Sequence, residues 1–91
     1  MEVFAKLDGE IVEEIGVKLK ALRKIRKWSQ SDLAGKVGVS RKHISEIETG
    51  KGTSLLTFVK ILKVFNKTEK LMEVLSGSSV SPKERFMKEN K

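Results

Sequence analysis

The sequence predicts an all-α domain of five short helices, and three observations carry that reading. Apolar residues recur at steps of three and four, the period of one helix face. Each such run is bracketed by residues that start and stop helices. No stretch of useful length alternates apolar and polar residues as a half-buried strand would. At 91 residues the chain has the size of one compact unit. Its expected parts are an arm or short strand over 1–10, the helical domain over 11–76, and a short tail over 77–91 that includes a short helix.

The elements follow in order. Residues 1–9, MEVFAKLDG, are short and mixed and end in an Asp-Gly turn signal. Ile11, Ile15, Leu19, Leu22 and Ile25, with Val12, then mark an amphipathic helix to about Arg26. Gly16 lies inside it at a cost of about 1 kcal/mol against alanine. Ser29 caps a second helix, with Asp32 where a capping box wants an acid, and Leu33, Ala34 and Val37 form its apolar stripe. Gly38 ends that helix in the left-handed conformation. Ser40 caps a third helix carrying Ile44 and Ile47, which stops at Gly50. Thr53 or Ser54 opens a fourth, Leu55 to Phe65, apolar at eight of eleven positions and so expected to be buried nearly all round. Thr68 opens a fifth with Leu71, Met72, Val74 and Leu75, stopped at Gly77. Ser76–Ser81 reads as a linker, and Ser81-Pro82-Lys83-Glu84 fits a capping box leading into Phe86 and Met87.

Composition narrows the function. There is no cysteine, so disulfides and thiolate chemistry are excluded and a reducing compartment is suited. One histidine builds no multi-histidine metal site, and no second ligand or nucleophile accompanies it. A chain this short also leaves little room for an active-site cavity. No enzyme, cofactor or metal is expected. No signal-like segment and no apolar run near 18 residues is present, so a cytoplasmic protein with no membrane role is expected. The charge is uneven. Residues 1–15 carry −4, residues 16–67 carry +10 and residues 68–91 carry +1, giving the net +7. A middle segment so basic is the footprint of a polyanion binder, because each neutralised phosphate releases a counterion. A merely solvated basic surface is the alternative that charge alone leaves open.

The informative stretch is QSDLAGKVGVSRKHISEIET, Gln30 to Thr49. Two short helices meet through Gly38 and Val39. Ala34 sits where a larger side chain would force them apart, and Leu33, Val37, Val39, Ile44 and Ile47 wedge them near perpendicular. The second of the two keeps Arg41, Lys42, Ser45 and Glu46 on its outward face, the geometry by which a helix enters a major groove N-terminus first. Trp28 precedes the pair where an apolar staple is expected. Met72 reads as a gap-filling core residue.

Over Ile15 to Leu75 the chain resembles the λ-repressor/Cro-type helix-turn-helix family, also called the XRE family. The residues that carry the likeness are Gln30, Ala34, Gly38, Ser40, Ile44, Ile47, Glu48 and Gly50. The resemblance implies a five-helix λ-repressor-like DNA-binding domain. It implies that Gln30 donates to a phosphate, and that Arg41 and Lys42, just after Ser40, make the leading contacts to bases. Arginine there would grip guanine O6 and N7. Ser45 and Glu46 occupy the next turn, where Glu46 either accepts from cytosine N4 or only repels wrong sequences. His43 would neighbour a phosphate or pack, and Lys51, Gly52 and Thr53 would meet the sugar-phosphate backbone. Arg23 and Glu48 match a structural ion pair between the first and third helices. Two departures, Gly35 within the second helix and Thr49 in place of asparagine, bear on helix stability rather than reading.

The string GKGTSLLTFVKILKVF, the leucine-rich fifth helix and the Ser-Pro-x-Glu segment are also similar to HipB-type antitoxins. That likeness implies a HipA-like kinase toxin as partner, although a solitary repressor would show the same residues 15–65. The resulting expectation is a sequence-specific double-stranded DNA-binding repressor acting as a homodimer on a palindromic operator. The alternative is an antitoxin or protein-interaction module. Exposed Val80, Phe86 and Met87 would favour a partner site. Membrane-surface binding by the basic first helix fails, because its apolar face is needed for the core. The dimer interface is expected on the fifth helix, with Leu71 and Leu75 near its axis, Met72 beside them and Phe65 at its border; the competing reading is that these residues close the monomer core.

Overall fold

The computed structural model describes residues 7–77, and that span forms the helices α1 (Asp8–Ile25), α2 (Gln30–Val37), α3 (Arg41–Glu48), α4 (Leu55–Val64) and α5 (Thr68–Leu75). Residues 1–6 of the arm expected over 1–10, and the tail with Val80, Phe86 and Met87, lie outside the described residues, whereas residues 8–10 are helical. Helix α1 begins three residues earlier than the periodicity suggests. Leu7 takes the extended N-cap conformation and donates its N–H to Glu10 at 3.0 Å. Asp8 and Glu10 face the positive end of the helix dipole. The Asp-Gly pair is therefore helical and not a turn.

The predicted caps of α2 to α4 form. Ser29 Oγ accepts from Asp32 N–H at 2.9 Å while Asp32 accepts from Ser29 N–H at 2.8 Å. These bonds, the backbone one first, hold the Asp32 carboxyl below the usual carboxylate range. A carboxyl with a lowered folded pKa contributes stability above its unfolded pKa, and loses it as pH falls through the folded one. Gly38 turns the chain at φ 91°, its N–H bonded to Ala34 O at 2.8 Å. Ser40 and Ser54 accept from His43 N–H and Thr57 N–H, and Thr49 Oγ1 closes the end of α3 on Ser45 O at 2.9 Å.

The core is Leu19, Leu33, Ala34, Val37, Ile44, Ile47, Ile61, Leu62 and Phe65, gathered between α2 and α3 with α1 and α4 against them. Three sequence assignments are corrected. The buried line of α1 runs through Gly16, Leu19 and Arg23, so Ile15 lies at the surface and Ile25 is 74% exposed. The reason is Gly16: a Cβ there would stand 2.5 Å from Ile47 O and 2.9 Å from Glu48 O. Helix α1 crosses the end of α3 backbone to backbone at that glycine, which turns the flanking isoleucines outward. Second, α4 is not buried all round. Its first turn leaves Leu55 75% exposed and Leu56 exposed beside it, because two eight-residue helices cannot cover it. Ile15, Leu55 and Phe58 instead border an apolar groove of about 290 Å³ between α1 and α4. Third, Phe65 is 3% exposed and stacks on Trp28 with ring centroids 5.6 Å apart, which removes it from any interface border. Met72 is exposed and fills no core gap, whereas Leu71 is half-buried against the core.

Two glycines of similar sequence context should respond oppositely to alanine. Gly16→Ala drives a methyl into backbone carbonyls and should cost about 1–3 kcal/mol. Gly35→Ala meets nothing within 4 Å in an exposed helix interior and should stabilise by about 0.5–1 kcal/mol. Urea unfolding midpoints check both, and equal losses would contradict the crossing at Gly16.

Candidate nucleic-acid interface

Helix α3 is amphipathic because Ile44 and Ile47 repeat at a helical step of three, and both are buried. That orientation leaves Arg41 and Lys42 exposed, with Ser45 and Glu46 half-exposed on the next turn. Arg41 and Lys42 occupy the first turn, with no acid among them. Cations at the positive end of a helix dipole are unfavourable by some tenths of a kcal/mol each. Helices α1, α2 and α5 place acids there, and α4, like α3, does not. The arrangement suits an anion that approaches the N-termini of α3 and α4 from outside.

The residues expected at the backbone-contacting edge are tied to α3. His43 Nε2 and Thr53 Oγ1 are 2.8 Å apart, and His43 Nδ1 lies 3.5 Å from Glu46 Oε1. His43 thus links α3 to the loop before α4. Lys51 is exposed on that loop, its N–H bonded to Glu46 O at 3.0 Å. Gly52 takes φ 84° between Lys51 and Thr53, a conformation that L side chains rarely adopt.

Behind the surface lies the ion pair. Arg23 Nε donates to Glu48 Oε2 at 2.7 Å and Nη2 to Glu48 Oε1 at 3.1 Å, both residues being 6% exposed. Arg23 Nη1 also donates to Trp28 O at 2.7 Å. The bonds to Glu48 hold the Arg23 guanidinium above its ordinary pKa, against the lowering effect of burial. Gln30, whose side chain was expected to meet a phosphate, is joined to this pair. Its Nε2 donates to Glu48 Oε1 at 3.1 Å, and its Oε1 accepts from Arg41 Nη1 at 3.0 Å. Spacing alone missed this row, since Gln30, Arg41 and Glu48 come from three separate turns of sequence. The only hint is that all three belong to the same motif.

A helix-turn-helix family model matches residues 19–71, which covers every helix of this arrangement in whole or part. This chain belongs to the XRE-type helix-turn-helix family. It is 37% identical over 88 residues to a protein of Methanosphaerula palustris provisionally named an HTH-type transcriptional regulatory protein, covering 92% of this chain and 29% of that one. A similarly named protein of Methanoculleus marisnigri is 39% identical over 64 residues, covering 70% and 21%. The antitoxin HipB of Escherichia coli K12 is 32% identical over 68 residues, covering 74% and 77%. The chain therefore spans under a third of the first two relatives' length. Within the matched residues the helix-turn-helix is formed by α2 and α3.

The ion pair sets a stability test. Arg23→Met or Glu48→Met alone strands a buried charge and should cost about 3–5 kcal/mol. The double change should cost much less than the sum, since no charge is left behind. Urea titrations of the four proteins form the cycle, and strict additivity would mean that the pair carries no coupling.

Proposed function

We propose that this chain is a sequence-specific double-stranded DNA-binding repressor that acts as a homodimer. The observation that carries the proposal is the pair of exposed cations, Arg41 and Lys42, on the first turn of α3, where the helix dipole disfavours them unless an anion arrives. Arg41 leads, reading guanine O6 and N7, with Lys42 beside it and Ser45 and Glu46 on the following turn. Ser40, His43, Lys51 and Thr53 hold or meet the phosphate backbone at the two ends of α3. The N-terminus of α2 at Gln30 meets it from the other side.

One α3 spans too few base pairs to select a site among a genome's competing sequences. A two-fold dimer answers this by reading half-sites of a palindrome about 34–36 Å apart. The supporting surface is on α5, where Met72, Val74 and Leu75 are exposed, with the half-buried Leu71 beneath them. Leu75, at 69% exposure, belongs nearest the axis, and Leu71 serves both core and interface. The second reading is an antitoxin that neutralises a HipA-like kinase toxin and represses its own operon. It is favoured by the similarity to the antitoxin HipB, of whose length the chain spans 77%. Both readings use the same DNA face and fit a cytoplasmic protein.

With some 4–6 phosphate contacts per subunit, log K should fall against log salt with a slope of about 4–5 per subunit. Arg41→Ala should cost about 1–3 kcal/mol and relax preference at one base pair. Fluorescence anisotropy on labelled duplexes across a salt series measures both, and a flat salt dependence would remove DNA as the ligand.

Leu75→Glu should leave a folded monomer that binds DNA far more weakly, because it charges the axis and leaves the core intact. Sedimentation equilibrium alongside circular dichroism separates that outcome from unfolding. An unmodified protein that stays monomeric at micromolar concentration with DNA present would end the dimer proposal.

A further inference from the structure

The apolar groove between α1 and the first turn of α4 takes no part in the DNA face. Val12, Ile15 and Gly16 form its α1 wall, and Leu55 and Phe58 face them from α4, around a volume of about 290 Å³. Ile15 is 40% exposed and Leu55 75%, so apolar side chains meet water on both rims. A cleft with carbon on both walls favours an apolar occupant. Where the chain enters α1 decides which. Residues 1–6 read MEVFAK and join Leu7, whose backbone is extended at φ −72°, ψ 150°, so the chain leaves the helix axis at that N-cap. At 1.5 Å per residue, Val12 stands about 7.5 Å and Gly16 about 13.5 Å along α1 from Leu7. An extended chain covers about 3.3 Å per residue, which gives Phe4 a reach of about 10 Å from Leu7 and Val3 about 13 Å. The two bulky apolar side chains next to Leu7 therefore reach the part of α1 that walls the groove.

We propose that the groove is the docking site of the chain's own residues 1–6, with Phe4 seated between α1 and α4. Phe4 is the larger of the two side chains, and Phe58 offers it an aromatic partner. Lys6 enters beside Asp8 and Glu10, on a half of α1 that carries four acids and no base from residue 8 to residue 17. The other apolar pair outside the described residues, Phe86 and Met87, is less well placed. Phe4 is three residues from Leu7, whereas Phe86 is nine from Gly77 beyond the end of α5, and a longer tether holds its end at lower effective concentration. The docked segment closes the cleft against Gly52, Thr53 and Ser54, which also line it. That loop already meets α1 at Val12, since a Cβ on Gly52 would stand 4.0 Å from Val12 Cγ1. Seating Phe4 there steadies the loop that holds Thr53 against His43. The inference goes beyond the DNA reading and does not rest on it.

The chain has no cysteine, so one introduced thiol carries a spin label at a single place. The test labels the full chain at Glu2→Cys and follows its side-chain methyl groups by NMR. Ile15 and Leu55 should lose their methyl signals while the label is paramagnetic and regain them when it is reduced. Adding Phe4→Ala to the labelled chain should restore both signals without reduction. A mixture of spin-labelled protein with isotope-labelled, unmodified protein should show no loss, because the contact lies within one chain. Loss in that mixture assigns the groove to a second copy and overturns the inference. Loss from a label at Lys88→Cys with none from Glu2→Cys assigns it to the segment around Phe86 and overturns it equally. Signals that Phe4→Ala leaves suppressed remove Phe4 as the anchor, and full signals under every label mean an open groove; either result overturns the proposal. None of these measurements uses DNA, so failure of the repressor reading and failure of this one are seen separately.

Discussion

The placement of α3 depends first on one buried contact, the two-pronged bond between Arg23 and Glu48. Arg23 lies near the end of α1 and Glu48 is the last residue of α3. Their bond therefore fixes one end of α3 to the longest helix of the domain. Helices of eight residues bury too little to hold an orientation alone, and marginal length makes them dependent on tertiary contacts. A charged pair adds direction that apolar packing lacks, since a planar guanidinium meets a carboxylate in few geometries. Its desolvation cost is large, so its value lies in specifying the arrangement as much as in net stability. The third donor of Arg23, on Trp28 O, carries the same constraint into the α1–α2 connection.

Gly16 is the steric counterpart of that bond. The ion pair draws α1 toward the end of α3, and only a residue without a side chain lets the carbonyls of Ile47 and Glu48 come as close as they do. Gly16 and Arg23 are seven residues apart, two turns, and so share one face of α1. The conformational cost of a mid-helix glycine is offset by a contact that no other residue permits. The two features are parts of one crossing.

This accounts for what could be read from the chain alone and what could not. Caps, turns and the two helices around Gly38 were legible, because each depends on residues within four positions of one another. The stripe on α1 held at Leu19 and Leu22 and failed at Ile15 and Ile25. A close backbone approach and a buried arginine share that face with Leu19, and neither has an apolar signature. The surface position assigned to Phe65 failed for a similar reason. Its stacking on Trp28 joins residues far apart in sequence, and no periodicity reports such a pairing. At the candidate site, the exposure of Arg41 and Lys42 followed from the positions of Ile44 and Ile47. The bond from Gln30 to Glu48 did not, since it requires the fold to be known first.

The same logic explains how charge and apolar surface are divided. Cations gather at the start of α3, where they oppose the local dipole, and exposed apolar side chains stand on α5, on the first turn of α4 and along α1 at Ile15, Val17 and Ile25. Each violates a rule that a solitary stable domain would follow, the first by electrostatics and the second by leaving carbon in water. The violations differ in kind, unbalanced charge in one case and exposed carbon in the other. The interior between them is well satisfied, with its buried arginine and glutamate paired to each other. Arg23–Glu48 belongs to that settled interior, and by joining the end of α3 to α1 it fixes the direction in which the cations of α3 are presented.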